Sequence, residues 1–103
     1  MIAPPRREPG LAALLRGLAA HDGGALEIVS VQSCLRASAT FEGMRHRVTI
    51  SCTGTSAAAR AERLAAALPE MEFALPCHLV ADVAVTSAVG ATISFEALIL
   101  DEK

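Results

Sequence analysis

Residues 29–53 read VSVQSCLRASATFEGMRHRVTISCT, and the period of their hydrophobicity decides the fold. From Val29 the apolar side chains fall on every second residue, Val29, Val31, Leu35, Ala37, Ala39 and Phe41, with Ser30, Gln32, Cys34, Arg36, Ser38 and Thr40 on the even positions. A period of two belongs to an extended strand, whose successive side chains point to opposite faces. Glu42-Gly43 reads as a tight turn, after which His46, Val48, Ile50 and Cys52 alternate with Arg45, Arg47, Thr49, Ser51 and Thr53. The stretch is therefore a hairpin with one dry and one wet face, and the dry face needs cover.

Upstream, the cover is visible. Leu11, Leu14, Leu15 and Leu18 recur at i, i+3, i+4 and i+7 and predict a helix over about residues 10–21, stopped by Asp22-Gly23-Gly24. Gly17 inside it costs about 1 kcal/mol relative to alanine and signals either a close contact or a marginal helix. Residues 1–9, with three prolines and three charges, read as a flexible arm ahead of a single domain over residues 10–103.

Downstream the same pattern repeats. Thr53-Gly54-Thr55-Ser56 breaks the hairpin and offers Thr55 or Ser56 as the N-cap of a second helix that runs to about Leu68, before Pro69. Ala57, Ala61, Leu64, Ala65 and Leu68 are its expected inward positions, with Arg60, Glu62 and Arg63 outward. A third strand alternates Leu75, Cys77, Leu79, Ala81, Val83 and Val85 with His78, Val80, Asp82, Ala84 and Thr86. After a turn at Ser87 to Gly90, a fourth alternates Ala91, Ile93, Phe95, Ala97 and Ile99 with Thr92, Ser94, Glu96, Leu98 and Leu100.

The order αββαββ predicts a two-layer α+β domain, with a four-stranded antiparallel sheet and both helices on one face. Moving the first strand of a ferredoxin-like βαββαβ fold to the end of the chain yields the same order and places the strands third, fourth, second, first across the sheet. At 103 residues the chain supports one core, and with 52% apolar residues but three aromatics that core is aliphatic and thin.

Charge and cysteine content narrow the function classes. The net charge is −2, divided into +2 over residues 1–54 and −4 over residues 55–103, which gives no general attraction to nucleic acid; the asymmetry reads as ordinary solvated surface, with self-association as the other reading. Cys34, Cys52 and Cys77 have no C-x-x-C spacing, so neither a disulfide framework nor a metal knuckle is expected. There is no secretory pattern and no run of about 18 apolar residues, from which a soluble, cytoplasmic protein with no membrane partner is expected. Arginine outnumbers lysine eight to one, a bias associated with GC-rich bacterial genomes.

No catalytic, metal, cofactor or nucleotide signature stands out, and Gly54-Thr55-Ser56 lacks the glycines and lysine of a phosphate loop. The one constellation to weigh lies on the face the helices leave open, where Arg36, Arg47, His78, Asp82 and Glu96 would combine anion-binding guanidiniums with a titratable imidazole and carboxylates. The competing reading is a solvated face or an oligomer contact, since alternation alone puts such residues on any half-exposed sheet. Leu26, Ile28, Val80, Ala84, Leu98 and Leu100 are expected on that face too, and a partly apolar open sheet favours a second copy or a protein partner. It carries no aromatic platform for RNA. Cys34 is the cysteine expected there, beside Arg36; Cys52, Cys77 and His46 fall in dry rows and read as core.

The expectation is thus a self-associating or protein-interaction module without catalysis, with small-anion binding or a minor enzymatic activity on the open face as the alternative.

Overall fold

A computed structural model describes residues 9–23, 25–37, 42–73 and 78–101. Two helices, α1 (Pro9–Asp22) and α2 (Ala57–Ala67), and four strands, β1 (Ala25–Ala37), β2 (Glu42–Thr53), β3 (His78–Val89) and β4 (Thr92–Asp101), follow one another as αββαββ, with a 3-10 turn (Leu68–Glu70) after α2. The strands form one antiparallel sheet in the order β1-β2-β4-β3. Read from its other edge, this is the expected third, fourth, second, first. The expected arm lies outside the described residues except for Pro9, as do Ala39, Phe41, Leu75 and Cys77.

Both helices cover one face. Leu11, Leu14 and Leu18 of α1 and Ala61 and Leu64 of α2, with Leu68, share a single core with Val48, Ile50 and Cys52 of β2 and Ile93, Phe95, Ala97 and Ile99 of β4. These dry rows are the ones alternation predicts, because β2 and β4 are the inner strands and neither bulges against the other. A side chain at Gly17 would come within 3.2 Å of the Phe73 ring, so this glycine marks a close contact.

The outer strands depart from strict alternation. Register slips between Ile28 and Ser30 in β1, and between Val80 and Asp82 and again between Val85 and Ser87 in β3. Each β-bulge sets an extra residue into the strand and reverses which face the preceding residues occupy. Leu26 and Ile28, expected on the open face, consequently pair with Cys52 and Ile50 on the helix side. In β3, Val80 pairs with buried Ile99 on the helix side, while Leu79 pairs with Leu100 on the open side. Val29, expected in the dry row, sits in the bulge and is 60% exposed.

Local expectations shift as well. Glu42 and Gly43 are not turn residues but the first pairs of β2, opposite Ala37 and Arg36. β3 runs on to Val89, so the second hairpin turns at Gly90-Ala91. Ser56 precedes α2 with φ 57 and ψ 33, left-handed, and makes no side-chain cap. The start of α2 is tied down by Arg60, expected outward. Its Nη1 donates to the carbonyls of Thr53 (2.8 Å) and Thr55 (2.6 Å), its Nη2 donates to Ala25 O (2.9 Å), and Nε and Nη2 both reach Asp22 Oδ2 at 3.2 Å.

Candidate functional site

The sheet face opposite the helices is organised in rows that the strand register sets. In the order β3, β4, β2, β1, one row reads Leu79, Leu100, Gly43, Arg36; the next Asp82, Leu98, Arg45, Cys34; the third Ala84, Glu96, Arg47, Gln32. Beyond these the face turns to small hydroxyls, with Thr49 and Ser94 hydrogen-bonded at 2.9 Å.

Of the five residues the sequence nominates, four occupy this face. Arg36 and Arg47 stand on β1 and β2, Glu96 and Asp82 on β4 and β3. Arg47 Nη2 lies 3.7 Å from Glu96 Oε1, with 65% and 25% of the side chains exposed, and a solvated pair of this kind contributes between 0 and about 1 kcal/mol. Asp82 lies on the far side of Leu98 from the arginines.

His78 is not with them. The bulge at Ala81 places it on the helix side of the sheet, opposite Asp101, with its Nε2 3.4 Å from Asp101 Oδ1. A Cβ on Gly10 of α1 would lie 3.0 Å from its Cδ2, so the imidazole packs under the start of that helix. The imidazole is thereby removed from the predicted constellation, and Glu96 is the carboxylate left beside the arginines.

Arg45, which alternation places on the open face, was not among the five nominated residues. It faces the same way as Arg36 and Arg47, half-buried between Cys34 and Leu98. With Gln32, Cys34 and Glu96, the three arginines line a shallow depression of about 350 Å³. Alternation from Arg47 was the available signal, since positions 45 and 47 share a face. Gly43 opens the adjoining row: a Cβ there would meet the Ile99 carbonyl oxygen at 2.5 Å, so β4 approaches where no side chain fits.

The described cysteines differ in accessibility. Cys34 is exposed on the open face, with Sγ 3.7 Å from the Leu35 carbonyl. Cys52 is buried, and both burial and the Asp22 carboxylate push its thiol up, against a smaller downward pull from Arg60. His46 is buried as expected, with Nδ1 2.7 Å from Ser33 Oγ. Among the described residues no group of three or more histidines, cysteines or carboxylates could hold a metal ion, and no helix is long and apolar enough to cross a membrane.

No protein-family model matches this chain, and no curated protein or solved structure is significantly similar to it.

Proposed function

We propose that this chain is a non-enzymatic, self-associating module that uses its open sheet face as the contact surface. The observation that carries the reading is the segregation of charge across that face: Arg36, Arg45 and Arg47 stand on β1 and β2, whereas Asp82 and Glu96 stand on β3 and β4, with Leu79, Leu98 and Leu100 beside the carboxylates. A two-fold axis parallel to the strands lays β2 of one copy over β4 of another, so that arginines meet carboxylates twice and the leucines lose water. Such an isologous contact needs one surface only. The β1-β2-β4-β3 order supports placing the fold, as a rearranged ferredoxin-like sheet, among architectures that leave one sheet face free for a partner.

Light scattering at micromolar concentration tests it. More than one chain's mass is expected, falling in Arg47→Glu, which sets like charges against each other across the contact. A strict monomer at low and physiological salt overturns the proposal.

A second reading has its own observation. Three guanidiniums around one depression suit a phosphate or a small polycarboxylate. Inorganic phosphate or citrate should then raise the melting temperature by degrees in the wild type and not in Arg45→Gln.

A further inference from the structure

Among the described residues five large hydrophobic side chains are exposed, and three of them, Ile28 (39%), Val29 (60%) and Leu35 (69%), belong to one edge strand, β1. The opposite edge, β3, is broken by two bulges, which is how a sheet edge is protected against further pairing. β1 carries a single bulge near its start, and from Ser30 to Ala37 it runs without interruption, with neither proline nor lysine. Such an edge is open to another strand.

The residues along β1 specify which strand. From the register with β2, Leu26, Ile28, Val31, Ser33 and Leu35 face the helix side, and Glu27, Ser30, Gln32, Cys34 and Arg36 face the open side. Antiparallel pairing requires like faces to lie opposite each other. If β1 meets β1 of a second copy about a two-fold axis through Gln32, Val31 falls opposite Ser33 and Ser30 opposite Cys34. The bulge at Val29 then withdraws one residue from the count. Ile28 therefore arrives opposite Leu35 and Glu27 opposite Arg36. Without the bulge, Ile28 and Glu27 would each arrive one place out of step, on the wrong face.

We infer that β1 is a self-pairing edge: two copies of this chain join β1 to β1, Gln32 on the two-fold axis, into one continuous eight-stranded sheet with Glu27–Arg36 ion pairs on its open side and Ile28–Leu35 contacts on its helix side. Each complementary pair occurs twice in the dimer, and the exposed Ile28 and Leu35 are covered by each other. The contact shares Arg36 with the open-face contact proposed above but is otherwise distinct from it, because Glu27, Ile28 and Leu35 are edge positions and Arg47 is on an inner strand. With both contacts in place, a copy meets neighbours both over its face and at its edge, and assembly proceeds beyond two chains.

The test uses the full chain with Arg47→Glu, so that the open face no longer contributes, and follows mass by sedimentation equilibrium. Two chains per particle are expected. Glu27→Arg or Arg36→Glu, each placing like charges opposite one another twice, should weaken the dimer about tenfold. The double exchange Glu27→Arg with Arg36→Glu should restore the parent constant, which loss of fold would not do. Leu35→Lys, at an exposed position, should give the monomer.

A monomeric Arg47→Glu chain, or a double exchange no tighter than its single variants, overturns the edge pairing and leaves the open-face reading standing. If instead Arg47→Glu does not alter the wild-type mass while Leu35→Lys reduces it to one chain, the edge pairing stands and the open-face reading falls.

Discussion

Asp22, the last residue of α1, and Arg60, in the first turn of α2, form a buried ion pair in which Nε and Nη2 of the arginine both lie 3.2 Å from the same carboxylate oxygen. The side chains are 2% and 12% exposed. The guanidinium also accepts no isolation from the backbone, because it donates to the carbonyls of Ala25, Thr53 and Thr55. One residue thus holds the end of α1, the start of β1, the end of β2 and the start of α2 at a single corner.

Arg60→Ala should cost about 3 kcal/mol of stability, since it strands a buried carboxylate and removes the donor to the half-buried Thr53 carbonyl. Arg60→Lys should recover only part of this, because an ammonium cannot reproduce a planar fork. Urea unfolding measures both. A loss for Arg60→Ala within that of an ordinary surface substitution, about 0.5 kcal/mol, would mean that the corner is held by packing alone.

Ser56 occupies left-handed backbone without returning a side-chain cap. Ser56→Gly removes the Cβ penalty and gives back part of the gain through a more flexible unfolded chain. A net stabilisation of about 0.5 kcal/mol is expected, seen as a higher melting temperature. Ser56→Ala should show no such gain, since alanine retains the Cβ.

The Cys52 thiol is pushed above its ordinary value of 9.0 by burial and by Asp22. The native state therefore disfavours the thiolate relative to the unfolded chain, and the contribution to stability is fully present below pH 9.0 and lost as pH rises through the native value. The stability difference between wild type and Cys52→Ala should accordingly shrink on the alkaline side. In a Cys77→Ala background, a thiol reagent should modify exposed Cys34 at once and Cys52 only as the protein unfolds.

The inner half of the sheet was legible because its strands obey the simplest rule. In β2 and β4, each flanked by strands on both sides, Val48, Ile50, Phe95 and Ile99 keep strict alternation and are buried as that period requires. The edge strands have one free side and can absorb an extra residue. His78 was misplaced for this reason: the bulge at Ala81 lies between it and the well-phased Val83 and Val85. The trace in the sequence is two apolar residues in succession, Ile28-Val29 and Leu79-Val80, where the period slips by one. Arg60 was legible in part, since it stands three residues after Ala57 and four before Leu64 on the margin of the buried stripe of α2.

The chain by itself determined the αββαββ order, the antiparallel sheet and the aliphatic core, because these follow from hydrophobic periods of 3.6 and 2 and from the residues that interrupt them. Only the tertiary structure decided which side chains of the edge strands share the open face. Face membership at an edge depends on bulges, and bulges are set by pairing with a neighbour distant in sequence. That dependence separates His78 from Arg36, Arg47 and Glu96 and carries Leu26, Ile28 and Val80 to the helix side. On α2, contact with Asp22 and the carbonyls of Ala25 and Thr53, both distant in sequence, turns Arg60 inward.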